Sequence, residues 1–152
     1  MKKFFATLAI TAAFGTTALA ANADESTEFN TTVPMQDKGA ATFYVPGRIA
    51  GVGEVELMVD TGSGYMTINE VALEQLKANN KARYVKELRG ILANGNEMIV
   101  PVYALEAVNI GGNCWLQDVE AAVFPGKTRY ILGLSALQKA SPFIFSMDPP
   151  NL

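Results

Sequence analysis

Between residues 41 and 145 apolar side chains come in short runs, and each run ends at a cluster of turn-forming residues. That rhythm constrains the fold more than any other feature, because it suits strands and leaves little room for long helices. Residues 41–49 hold Phe43, Tyr44 and Val45, and Gly51-Val52-Gly53 then reverses the chain. Val55, Leu57 and Val59 alternate with Glu54, Glu56 and Met58. The alternation predicts the second arm of a hairpin, with one apolar face, running straight into Asp60. A short strand is expected over 65–68. Asn69 is placed to cap a helix over 70–78, with Val71, Leu73 and Leu76 among its apolar positions and Asn79-Asn80 ending it. Strands are expected over 84–92 and 97–110, separated by a turn at Asn94-Gly95. Gly111-Gly112 makes the next turn, and 115–124 returns. A short helix over 135–140 and a last apolar strand over 143–145 complete the series. Many strands with one or two short helices predict a single all-β domain.

The chain has 152 residues, enough for one domain and a short tail. It contains no histidine and one cysteine, Cys114. These two counts exclude a Ser-His-Asp or Cys-His site, an imidazole zinc site, a four-cysteine metal site and an intrachain disulfide. Carboxylates, hydroxyls, amines and backbone groups are left to do any chemistry, and neither a metal nor a cofactor is expected. The formal net charge is -3 and no basic run exceeds Lys2-Lys3, which argues against nucleic acid as a partner.

Met1-Lys2-Lys3 makes a positive start, residues 4–20 are apolar with scattered threonines, and Ala18-Leu19-Ala20 and Ala21-Asn22-Ala23 have the small-x-small form of cleavage sites. Residues 1–23 are therefore expected to be a signal peptide cut after Ala20 or Ala23. Its removal would leave no stable membrane span and send the protein to the periplasm or the cell exterior. One unpartnered cysteine suits such an oxidising compartment. Residues 24–40 are polar and aperiodic and are expected to form a flexible lead-in. The folded domain is expected over 41–148, with a tail over 149–152.

The segment that carries chemistry is Leu57-Met58-Val59-Asp60-Thr61-Gly62-Ser63-Gly64. An Asp-Thr-Gly alone can be an Asx-type turn after a strand. Here an apolar strand feeds it, small residues follow, and a second strand leaves it, the layout that holds a carboxylate at a loop tip on rigid supports. With these flanks the sequence resembles the retropepsin-like (retroviral-type) aspartic proteases, in particular their small exported bacterial branch. Ala93-Asn94-Gly95-Asn96 resembles the tip of that family's flap hairpin, and residues 108–124 resemble its hairpin with a Gly-Gly turn. Tyr130-Ile131-Leu132-Gly133 followed by Leu134-Ser135-Ala136-Leu137 resembles its apolar-apolar-Gly segment before a short helix. The resemblance covers about 43–145.

It implies a closed, barrel-like β-structure with a flap hairpin over the site, functional as a homodimer. Each chain supplies one catalytic Asp60, so that two carboxylates meet across a two-fold axis. Two such groups cannot both ionise cheaply, so they share a proton; one activates water while the other protonates the scissile carbonyl oxygen. Around Asp60, the resemblance implies that Thr61 bonds across the dimer and Gly62 lets its N–H reach the carboxylate. Ser63 is placed to donate to the outer carboxylate oxygen. Ala93, Asn94 and Gly95 form the flap tip, and Ile131, Leu132 and Gly133 pack under the catalytic loop. Residues 143–147 are placed in the dimer interface. Asp118, Glu120 and Asp148 stand in no second Asp-Thr/Ser-Gly and read as surface carboxylates. Tyr65, Trp115 and Phe124 are expected in the core or a pocket wall, and Cys114 as a buried small hydrophobe. The function expected is an aspartic endopeptidase acting on extended peptides or unfolded protein, with an optimum on the acid side of neutral. The alternative is a catalytically silent peptide-binding module of the cell envelope.

Overall fold

A computed structural model describes residues 29–91, 95 and 97–152. The stretch read as a signal peptide and two flap-tip residues, Ala93 and Asn94, lie outside the described residues. Within them the chain forms β1 (Gln36–Asp37), β2 (Phe43–Ile49), β3 (Gly53–Val59), β4 (Met66–Asn69), α1 (Glu70–Ala78), β5 (Ala82–Ile91), β6 (Glu97–Ile110) and β7 (Cys114–Phe124). These are followed by β8 (Tyr130–Leu132), α2 (Leu134–Leu137), a 3-10 turn (Gln138–Ala140), β9 (Ser146–Met147) and β10 (Pro150–Asn151).

The strands lie in the order β1-β2-β3-β8-β4-β7-β6-β5, and β2 pairs with β6 as well as with β3. That extra pairing, Gly47 opposite Ile110, Arg48 opposite Asn109 and Ile49 opposite Val108, closes six strands into a barrel. β5 and β1 hang outside the ring, β5 as the free arm of the long β5–β6 hairpin. The all-β, barrel-like architecture with short helices agrees with the sequence.

Alternation explains the packing. In β2 the residues Phe43, Val45 and Ile49 point inward, and in β3 Leu57 and Val59 do so. Leu57, Ile68, Leu105, Leu132 and Leu137 are wholly buried. Each such side chain contributes about 1.5–3 kcal/mol. An exposed ion pair such as Arg48–Glu54 contributes about 0–1 kcal/mol, so apolar burial and not surface charge holds the barrel.

Helix α1 begins as the sequence predicts. Asn69 has extended backbone, its Oδ1 accepts the Ala72 N–H at 2.9 Å, and its Nδ2 donates to the Thr128 carbonyl at 3.0 Å. The residue is buried, so neither bond is readily replaced by water. Asn69→Ala is expected to cost about 2 kcal/mol through the lost cap and the stranded carbonyl. A urea midpoint unchanged from wild type would refute that accounting.

The ends of the domain differ from expectation. Val33 and Met35 sit in the core at 4% and 5% exposure, so the lead-in is not flexible there. Backbone bonds join Val33 to Leu152 and Met35 to Pro150, tying the segment to the stretch read as a tail. No strand forms over 143–145; the terminal strands are β9 and β10. Phe145 instead meets the Phe43 ring edge-on, centroids 5.5 Å apart, so its apolar surface goes into packing and not into a ladder. Trp115 is 49% exposed, because it lies on the outward face of β7, beside the buried Leu116. Cys114 is only partly buried, packed against the edge of the core.

Candidate active site

Asp60 follows the last residue of β3, and its position is set by the strands on either side of the loop. β8 runs parallel to β3, with Met58 opposite Ile131 and Val59 opposite Leu132. Ile131 also pairs with Thr67 on β4. The strand that enters the loop and the strand that leaves it are thus stitched together by Ile131 and Leu132. The Asp60 N–H donates to the Leu132 carbonyl at 3.2 Å, which anchors Asp60 directly on β8.

Inside the loop the Gly62 N–H donates to Asp60 Oδ1 at 2.9 Å, and the Ser63 N–H donates to the Asp60 carbonyl at 3.2 Å. The carboxylate is therefore held in an Asx-type turn that fixes one of its oxygens. A Cβ at Gly62 would come within 3.2 Å of that same oxygen, which explains a glycine here. Asp60 is half-buried, while Thr61 and Gly62 are exposed. Ser63 does not take the role expected of it: its hydroxyl donates to the Tyr65 carbonyl at 2.8 Å, bracing the loop from within.

Gly133 carries the loop from below. A Cβ there would fall on the Tyr65 carbonyl oxygen and lie 2.8 Å from the Ser63 carbonyl oxygen. The next two residues open α2, whose first N–H groups have no partner inside the helix. Leu134 N–H donates to the Ser63 carbonyl at 2.8 Å, and Ser135 N–H donates to the Gly64 carbonyl at 3.1 Å. The Ser135 hydroxyl accepts the Met66 N–H at 2.7 Å and donates to the Glu120 carbonyl at 2.6 Å. Sequence reasoning placed Ser135 only in a short helix. Its partners are 69 and 15 residues away, so no local pattern reveals the role.

Gly95, the described member of the expected flap tip, is exposed with φ +82° and nothing near its Cβ position. Asp118, Glu120 and Asp148, expected as surface carboxylates, are engaged away from Asp60 or open to solvent. Asp118 lies 3.4 Å from Arg83, Glu120 lies 3.2 Å from Lys86, and Asp148 is exposed. A cavity of about 520 Å³ lies against residues 29–33 and the C-terminal segment, and the Asp60 loop lines no part of it.

The geometry defines one carboxylate mounted at a strand-loop tip on a closed six-stranded barrel that also carries a long hairpin. Among solved structures, a retropepsin-like aspartic protease from Rickettsia conorii matches with a TM-score of 0.58 at 20% identity, covering 80% of this chain and 88% of that one. No curated protein matches the chain. The family model described as "gag-polyprotein putative aspartyl protease" matches residues 45–139, which include the whole Asp60 loop and the Ile131-Leu132-Gly133 segment. The fold is that of the retropepsin-like proteins. The chain belongs to the retropepsin-like aspartic protease family.

Proposed function

We propose that the protein is an aspartic endopeptidase, active as a homodimer in which two Asp60 side chains share one proton. The observation that carries this reading is the Asp60 loop, which clamps a single carboxylate by the Gly62 N–H and by β8 and leaves Thr61 beside it exposed. A lone carboxylate so mounted lacks the partner that peptide hydrolysis by this chemistry needs, and an identical chain supplies one by symmetry. One carboxylate takes a proton from water while the other gives one to the scissile carbonyl oxygen, and the resulting diol collapses to amine and acid. The substrate is an extended peptide, laid between the loop and the β5–β6 hairpin with its backbone hydrogen-bonded as an added strand. The charged start, the apolar stretch and the two small-x-small sites in residues 1–23 support action in an exported compartment. Among the described residues no helix is long and apolar enough to cross a membrane.

The test is cleavage of an unfolded protein by the chain from Asp24 onward, between acid and neutral pH, with sedimentation on the same sample. Cleavage is expected to peak on the acid side of neutral and to rise per subunit as the dimer forms. A strict monomer at micromolar concentration, or a pH profile flat into the alkaline range, overturns the reading. A well-folded dimer that cuts nothing makes the protein a peptide-binding module instead.

A further inference from the structure

The root of the β5–β6 hairpin carries a cluster that the catalytic scheme leaves unused. β5 shifts register against β6 between Tyr84, opposite Tyr103, and Lys86, opposite Val102. Val85 is the extra residue, and a bulge of this kind turns two neighbours on one strand toward a single partner position. Val85 accordingly packs on the small apolar cluster of Val100, Val102 and Ala122, against which Tyr65 also lies. Lys86, sharing the Val102 position, reaches across to β7 and to the catalytic loop. Its ammonium lies 3.2 Å from Glu120 Oε2 and 5.3 Å from the centroid of the Tyr65 ring, within the range of a cation–π contact.

Tyr65 is the hinge of this arrangement. Its carbonyl takes the Ser63 hydroxyl and rests on Gly133, so its backbone belongs to the Asp60 loop. Its ring belongs to the hairpin. The Glu120 carbonyl bonds the Ser135 hydroxyl, which in turn holds the Met66 N–H next to Tyr65. Lys86, Glu120, Ser135, Met66 and Tyr65 therefore close a ring of contacts between the hairpin and the loop, the two elements that flank the peptide's path.

We propose that Lys86 is a positioning residue for peptide binding: through Tyr65 and Glu120 it fixes the Tyr65 ring as a wall of the peptide channel. This deepens the endopeptidase reading and rests on it for its kinetic consequence. Tyr65 and then Glu120 push the Lys86 pKa above the ordinary lysine value, the direction expected where both groups hold the ammonium. The Lys86–Glu120 pair is substantially exposed, and pairs of that kind contribute little to folding stability. Loss of the cation should therefore move the ring without unfolding the chain.

Two measurements on the full chain separate this from a general structural role. The protein has five tyrosines, so ring-labelled tyrosine gives a short set of NMR signals in which Tyr65→Phe identifies Tyr65. Lys86→Met is expected to shift the Tyr65 signal, and Lys86→Arg to restore it, with the melting temperature unchanged. On a peptide substrate Lys86→Met should raise KM about tenfold and leave kcat within about twofold, again with rescue by Lys86→Arg. A Tyr65 signal unmoved in Lys86→Met overturns the proposal, whether or not peptides are cleaved. So does a loss of kcat and melting temperature together without a change in KM. A wild type that cleaves nothing defeats the endopeptidase reading alone, and the NMR arm then still decides what Lys86 does.

Discussion

Asp60→Asn should stop peptide cleavage while leaving a folded dimer. The substitution changes the chemistry and little else. Asparagine keeps Oδ1, so the Gly62 N–H retains its acceptor, and the Asp60 backbone bonds to Leu132 and Ser63 do not involve the side chain. The site is half-buried, and no cation stands in an ion pair with Asp60 among the described residues, so removing the charge strands no counter-ion. What disappears, on the proposed mechanism, is the group that accepts a proton from water and the proton shared between two acids. The rate is expected to fall by about 10³-fold or more, since both proton transfers fail in a homodimer of the variant. Under the proposed shared site, mixing also becomes informative. After subunit exchange with an equal amount of Asp60→Asn, wild-type chains should show about half their own activity, because half of them sit in mixed dimers. Initial rates on a fluorogenic peptide, with sedimentation of each sample, measure both effects. Full activity in the variant would remove Asp60 from the mechanism. An unchanged activity on mixing would mean that each chain works alone.

The elements were more legible in the sequence than their partners. Period-two alternation in residues 53–59 marks β3, and Asn69 with its cap bond starts α1 where the pattern places it. Gly111 and Gly112, both at positive φ, turn β6 into β7 as read. These features are local, and local residues decide them. Barrel closure through Gly47 and Ile110 is decided by residues far apart in the chain, and no spacing encodes it. The same holds for β8, which slips between β3 and β4, and for Val33, whose burial depends on Leu152. Trp115 misled for a related reason: its size suggests a core position, whereas its place on the pleat of β7 turns it outward. In the candidate site the motif residues are visible one by one, but Ser135 and Lys86 are not. The first acts through two long-range bonds, and the second is aimed by a register shift whose extra residue, Val85, has no special chemistry of its own.

Gly133→Ala is the substitution expected to damage the fold most for its size. The backbone at Gly133 is extended, with φ -91° and ψ -176°, a conformation that alanine accepts, so torsional strain contributes nothing. The obstacle is the added methyl, which would fall on the Tyr65 carbonyl group with the Ser63 carbonyl also too close. Both are main-chain atoms, and neither can rotate away as the end of a long side chain would. The Ser63 carbonyl takes the Leu134 N–H, and the Tyr65 carbonyl takes the Ser63 hydroxyl. Moving the loop up therefore breaks its bonds to α2, and moving β8 down breaks its pairing with β3 and β4. Overpacking of this kind against a braced backbone is expected to cost about 3 kcal/mol. Gly64 offers the matching control. It is exposed, no atom stands within 4 Å of its Cβ position, and its φ is not positive, so Gly64→Ala should change stability by no more than about 0.5 kcal/mol. Urea unfolding of the two variants beside wild type measures the difference. At a temperature where Gly133→Ala is still folded, its residual activity should be down about 10²-fold, because a shifted Ser63–Tyr65 segment carries Asp60 off its line. Equal stability of the two alanine variants would mean that Gly133 is not the floor of the catalytic loop. A destabilised Gly133→Ala with full activity would mean that the floor holds the fold without placing the carboxylate.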